Sequence, residues 1–190
     1  GGFAIYAAQH YGCKVTTITI SKAQYEEAVA RVIASGLSHR VDVQLKDYRL
    51  LEGKYDKLVS IEMIEAVGEQ YLPTYFNKCR QLLKPNGLAL IQAITIEDAR
   101  YEKSLNTIDY IKRYIFPGSF IPCISVMTQV ASAQKLRLKQ LDDIGQSYAD
   151  TLSCWRQRFL AQRDEVLQLG FDEKFIRMWD FYLCYCEGGF

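Results

Sequence analysis

Tyr55-Asp56-Lys57-Leu58-Val59-Ser60-Ile61-Glu62-Met63-Ile64-Glu65-Ala66-Val67-Gly68 reads first as a strand and then as a turn. Tyr55 to Ile61 is apolar enough to be a central strand. It runs into two carboxylates, Glu62 and Glu65, three positions apart, and Glu69 to Leu83 then takes up helical spacing. A strand that ends on acids and turns into a helix fits a parallel α/β sheet, where ligands bind beyond the carboxyl ends of the strands.

The same alternation repeats on either side. Phe3, Ala4, Ala7 and Ala8 recur at helical spacing, and Gly12 marks a stop. Lys14 to Ile20 (KVTTITI) is rich in β-branched residues and predicts a strand. Ser21-Lys22-Ala23-Gln24 has the form of a capping box, opening a helix to about Ser35 that stops at Gly36. Val41 to Leu45 alternates as a strand. Lys84-Pro85-Asn86-Gly87 is a turn, and Leu88 to Thr95 a nearly continuous apolar strand, expected to be buried on both faces. Ser21, Asp47, Glu62, Glu65 and the run Gln92 to Ile94 all fall at or just past strand ends, so this topology turns them toward one crevice.

The second half changes character. Asp98 to Pro122 carries Tyr101, Tyr110, Tyr114, Phe116 and Phe120, and fits a helical insertion over about 98–135. Leu136 to Leu141 alternates like a late strand. Tyr148 to Leu169 and Asp172 to Cys186 predict two helices, with Trp155, Phe159, Phe175, Trp179, Phe181, Tyr182 and Tyr185 placed as core.

Composition narrows the classes. A chain of 190 residues is one domain, or one with an insertion. At 49% hydrophobic and 24% charged it has the profile of a soluble globular protein. A net charge of +1 gives no footprint for nucleic acid. No apolar run approaches the roughly 20 residues of a membrane-spanning helix. Six cysteines without a CxxC pair, and only two histidines, point to neither a metal site nor a disulfide scaffold. They read as free buried thiols of a cytosolic protein. The start on Gly1-Gly2, without methionine, and the abrupt stop at Phe190 read as a fragment of a longer chain.

Six separated motifs resemble those of the cyclopropane-fatty-acyl-phospholipid synthases and the related mycolic-acid cyclopropane synthases. Gly1-Gly2 resembles the tail of a glycine-rich loop; Thr19 to Gln24 (TISKAQ) resembles a T-[IL]-S-x-x-Q segment; Asp47-Tyr48-Arg49 resembles D-Y-R. Met63 to Gly68 (MIEAVG) resembles M-[FI]-E-[HA]-V-G, and Tyr114 to Gly118 (YIFPG) resembles Y-I-F-P-[GN]. Gly145 to Leu152 followed by Trp155 resembles G-x-x-Y-x-x-T-L-x-x-W. The motifs occur in the family's order and cover essentially the whole chain.

The resemblance implies a class I S-adenosylmethionine (SAM)-dependent methyltransferase: an α/β, Rossmann-like sheet with a helical insertion and cover, whose first strand lies upstream of this fragment. It implies SAM contacts from Gly1, Thr19, Ile20, Ser21, Gln24, Asp47 and Tyr48. It implies a bicarbonate ion, the family's base, held by Glu65, the Ile94 backbone and the Tyr148 hydroxyl. The chemistry implied is attack of a cis double bond of a phospholipid acyl chain on the SAM methyl, proton loss from the resulting cation, and ring closure. Peripheral contact with the inner membrane face from the cytoplasm follows from such a substrate, with Lys112, Arg113, Arg156, Arg158 and Arg163 as candidate head-group contacts; a homodimer is left open. Gln92 stands where many members have histidine, and Ala66 where some do. Gln92 exchanges hydrogen bonds but takes no proton, which leaves room for another outcome of the same cation: a methyl or methylene branch, or methylation of another small molecule. A non-catalytic lipid-binding domain is a rival of another class. A nicotinamide enzyme ranks last, because Thr19-Ile20-Ser21 lacks the acidic ribose ligand. Glu62 reads as secondary to Glu65.

Overall fold

The computed structural model describes residues 1–190. The first half alternates as α1 (Gly2–Tyr11), β1 (Val15–Thr19), α2 (Lys22–Ala34), β2 (Val41–Leu45), β3 (Tyr55–Ile61), α3 (Leu72–Leu82) and β4 (Leu83–Gln92). The second half is helical: α4 (Asp98–Leu105), α5 (Ile124–Ala133), α6 (Gly145–Ala161), α7 (Arg163–Gln168) and α8 (Glu173–Glu187), with a π turn at Ile111–Ile115.

The four strands form two separate parallel pairs, β1 with β2 and β3 with β4. The last rungs of the two ladders are Thr19↔Leu45 and Ile61↔Gln92, so each pair ends flush. Parallel strands need helical crossovers, and α2 and α3 supply them. α2 stops where Gly36 takes φ 69°, with Leu37 N donating to Val32 O and Gly36 N to Ile33 O. The Lys84–Gly87 turn survives as a loop-out within β4: the register jumps from Tyr55↔Leu83 to Lys57↔Leu88. A Cβ on Gly87 would meet Lys84 O at 3.0 Å and Asp56 O at 3.2 Å, so glycine lets the two backbones approach there.

The core lies in two clusters. Ile64, Leu72, Tyr75, Phe76, Cys79 and Phe120 form one, beneath Leu58, Ile91 and Ala93. Ala4, Ala8, Val32 and Val41 form the other, under β1 and β2. Helices cover only one face of the β3–β4 pair. On its other face Leu88 and Leu90 are 48% and 58% exposed, beside Val59 and Ile61, which corrects the expectation of a strand buried on both sides.

Three further expectations are corrected. Leu136 to Leu141 forms no strand; no ladder partner meets it, and Leu138 and Leu141 are exposed. The predicted helix from Tyr148 starts earlier, at Gly145, whose N–H is capped by Asp143 at 2.9 Å, and it breaks at Gln162 between α6 and α7. All six cysteines are free, but only Cys79 and Cys123 are buried.

The helical cover is braced at its aromatics. α6 and α8 are joined by Arg156–Asp180 at 2.6 Å. The Tyr110 hydroxyl donates to Met178 O at 2.9 Å, and its ring lies 4.6 Å from Phe181; Phe116 lies 6.1 Å from Tyr182. Trp155, Phe181 and Tyr185 are each about half exposed, so these rings pack on one another rather than forming a closed core.

Candidate functional site

A trench of about 3030 Å³ runs between the two strand pairs. Gly1, Thr19, Ile20, Gln24, Asp47 and Tyr48 line it on one side, and Glu62, Gln92, Ile94 and Tyr148 on the other. Ser21 and Glu65 do not line it.

At the end of β1, the side chains are pre-set by one another. Ser21 Oγ accepts from Gln24 N at 3.4 Å and caps α2. The second half of the capping box is replaced: Ser21 N donates to Thr19 Oγ1 at 3.1 Å, and Thr19 Oγ1 donates to Gln24 Oε1 at 2.8 Å. Ile20 is 78% exposed, an uncovered apolar face at a strand end. Asp47 is held by its own turn, accepting from Arg49 N at 2.8 Å and pairing with the Arg49 guanidinium at 2.6 Å. Those bonds hold its carboxyl below the usual range. The half-buried Tyr48 ring meets Tyr75 edge-on at 5.9 Å. Polar groups fixed at two strand ends around an exposed isoleucine and a tyrosine ring suit a nucleoside with a flat base.

At the end of β3 the chain turns sharply. Glu62 has φ 47°, a left-handed conformation rare outside glycine and costing on the order of 1 kcal/mol. Glu62 N donates to Gln92 O at 3.0 Å, and Gln92 Nε2 returns a bond to Glu62 Oε1 at 3.0 Å. The reversal carries Ile64 into the core and sets Glu65 behind the trench wall. There Glu65 Oε1 accepts from Ile94 N at 2.6 Å, and Phe120 N donates to Glu65 O at 3.0 Å. Glu65 Oε2 is buried without a partner. Burial pushes the Glu65 carboxyl up against the pull of the Ile94 N–H, and the Glu62 charge adds to the rise.

Tyr148 enters from α6, with its ring 4.8 Å from Phe190 and 6.1 Å from Trp155. Burial raises its phenol first, and the adjacent Glu62 carboxylate raises it further. Tyr182, raised to about 12 by burial, also feels Glu62. Both phenols thus feel the charge of Glu62, which the sequence places second to Glu65. A left-handed backbone at a glutamate leaves no signature in residue type, so only its position at a strand end pointed to it.

The resemblance supplies three partners for a bicarbonate ion, and one of them is engaged within the protein. The Ile94 N–H is taken by Glu65 Oε1 at 2.6 Å, whereas Glu65 Oε2 is buried without a partner and Tyr148 lines the trench. Of the five basic residues considered for head groups, Arg156 and Arg163 are paired with Asp180 and Glu173, Lys112 donates to the Ser104 and Thr107 carbonyls, and Arg113 lies over the Tyr114 ring. No helix is long and apolar enough to cross a membrane.

The family model described as mycolic acid cyclopropane synthetase matches residues 1–190. The chain is 42% identical to a tuberculostearic acid methyltransferase of Mycobacterium tuberculosis, over 100% of this chain and 44% of that protein. It is 35% identical to the cyclopropane-fatty-acyl-phospholipid synthase of Escherichia coli, over 100% of this chain and 47% of that protein. The chain thus spans about half the length of the curated relatives it matches. Among solved structures it superposes on a mycolic acid cyclopropane synthase complexed with S-adenosylhomocysteine, with a TM-score of 0.89, 24% identity, and coverage of 99% of this chain and 69% of that one. The overall likeness establishes the fold as that of the SAM-dependent methyltransferases.

Proposed function

The chain belongs to the mycolic acid cyclopropane synthetase family, and from that premise we propose that residues 1–190 form one catalytic domain, with an insertion over about 98–135, that transfers a one-carbon unit from SAM to the cis double bond of an unsaturated acyl chain. The observation that carries this reading is the trench itself. One set of polar groups at the ends of β1 and β2 and a second set at the ends of β3 and β4 open on the same space.

Thr19, Gln24, Asp47 and Tyr48 would hold the nucleoside, with Ile20 as an apolar face and Gly1 at the trench wall. Ser21 acts through the cap it places on α2. When bound, SAM supplies an electrophilic methyl group on a sulfonium. Tyr148, Phe190 and the β3–β4 face present apolar surface that excludes water from the acyl chain. Glu65 and Ile94 N brace the turn that aims Glu62 and Gln92 at the reacting end. No step is assigned to bicarbonate.

Cyclopropanation of phospholipid chains is one product reading, supported by the 35% identical relative. Methyl or methylene branching is the second, favoured by Gln92 and by the 42% identical methyltransferase. Either substrate brings the protein to a membrane surface.

The test uses the full-length protein, SAM with a deuterated methyl group, and vesicles of cis-unsaturated phospholipid. Mass spectrometry of the released fatty acids should show a gain of CD₂ for ring closure, which NMR separates from a methylene branch, and CD₃ for simple methylation. Absence of label from every acyl chain would overturn the reading.

A further inference from the structure

We propose that the loop at residues 108–116 and the outer stripe of α8 form the surface on which this protein meets an anionic lipid bilayer. The inference builds on the one-carbon-transfer reading above, because an acyl chain has to leave the bilayer to reach the trench.

The surface starts from rings that touch. The Tyr110 ring lies 5.3 Å from Tyr114 in the loop, and 4.6 Å and 6.2 Å from Phe181 and Tyr185, one turn apart on α8. Tyr114, Phe181 and Tyr185 are each about half exposed. Ile108, 76% exposed, and Phe116, about half exposed, extend the patch along the loop. A contiguous apolar patch marks a surface that something else covers, where a single exposed side chain would not.

The loop is pinned in this shape. Lys112 Nζ donates to the Ser104 and Thr107 carbonyls, and Lys112 N donates to Asp109 Oδ1 at 2.8 Å. The Tyr110 hydroxyl ties the loop to Met178 O on α8. Phe116 opens a tight turn in which Ser119 N donates to Phe116 O at 3.1 Å. Pro117 follows it and Gly118 takes φ 83°, the type II pattern. The backbone is therefore ordered before anything binds, which lowers the cost of binding.

Charge and position select the occupant. Arg113 lies over the Tyr114 ring at 5.5 Å, and Arg177 stands one turn before Phe181; neither forms an ion pair. The acids within 108–116 and 177–185 are Asp109 and Asp180, and they are committed to Lys112 N and to Arg156. The free charge on this face is positive. Tyrosine rings and arginines around an apolar centre suit the bilayer interface, with the rings at head-group depth and the guanidiniums on lipid phosphates. Four residues past Phe116, Phe120 enters the core cluster of Ile64 and its N–H donates to Glu65 O at 3.0 Å. The patch thus adjoins the wall of the trench.

The test floats full-length protein on vesicles of dioleoylphosphatidylglycerol or dioleoylphosphatidylcholine. Wild type should bind the anionic vesicles, and added salt should weaken that binding. Ile108→Glu combined with Phe181→Glu should lower the partition coefficient at least about tenfold. Arg113→Gln should lower it about fivefold on the anionic vesicles alone. Ile33→Glu, at another exposed isoleucine on α2, should stay within twofold. SAM affinity within threefold of wild type shows that each variant folds. A double variant that binds vesicles like wild type overturns the inference; if it still labels their acyl chains from SAM, the one-carbon-transfer reading stands. A double variant that binds vesicles normally but dissociates a wild-type dimer in sedimentation also overturns it, and makes this face an interface between copies. A wild type that binds through this face yet labels no acyl chain upholds the surface and overturns the one-carbon-transfer reading.

Discussion

Glu65 shows how one buried carboxyl couples protonation to stability. Its folded value is raised above the ordinary 4.5, mainly by burial. Between the ordinary and the raised value the folded chain binds more protons than the unfolded chain. Its contribution to stability is therefore complete below the ordinary value and is lost as pH rises through the folded one. Glu65→Gln keeps an acceptor for the Ile94 N–H and removes the charge. Thermal melts of the full-length protein should show the variant gaining on wild type from pH 4 to pH 8; a difference that does not vary with pH would refute this. Much of this was legible at the level of residues. Glu65, Gln92, Ile94 and Tyr148 stand out in sequence because their motifs place them at strand ends and at a helix start. Glu62 is legible only by its place at a strand end; its backbone angle and its bond to Gln92, 30 positions away, are not. Neither is written in residue type.

Elements were legible where local chemistry decides them. The Ser21 cap, the Gly36 stop and the Pro85-Asn86-Gly87 turn all fall where their residue types place them, because each satisfies backbone groups within a few positions. The alternation of Leu136 to Leu141 had nothing to pair with, and a strand is settled by its partner rather than by its own pattern. The break at Gln162 was likewise unmarked by glycine or proline. The cap offers a measurement that separates two roles. Ser21 caps α2 but does not line the trench, whereas Thr19 and Gln24, bonded to each other beside the cap, do line it. Ser21→Ala should cost about 1 kcal/mol in a urea melt and change SAM affinity less than threefold by calorimetry. A tenfold loss of affinity with little change in stability would place Ser21 against the cofactor.

At the scale of the molecule, the alternation of strands and helices predicted a parallel sheet, and the parallel pairs are there. Their separation and the open face of β3–β4 were not legible, because burial on a second face depends on what packs there and not on how apolar the strand is. The consequence is that the cover makes contact with the sheet rim through few groups. Tyr110 is one of the braces, bonding Met178 O and packing among Tyr114, Phe181 and Tyr185. α8 in turn holds α6, which carries Tyr148 to the trench. Tyr110→Phe removes one hydrogen bond and should cost about 1 kcal/mol. Tyr110→Ala also removes the ring, and at a half-buried site should cost about 2–3 kcal/mol. Neither touches β1 or β2. In the full-length protein, Tyr110→Ala should therefore raise the acyl KM and lower kcat while SAM affinity stays within threefold, with Tyr110→Phe near wild type in both. Equal losses of SAM affinity and acyl use would mean that the cover and the nucleoside end move as one body, and that the trench cannot be divided into a cofactor half and an acyl half.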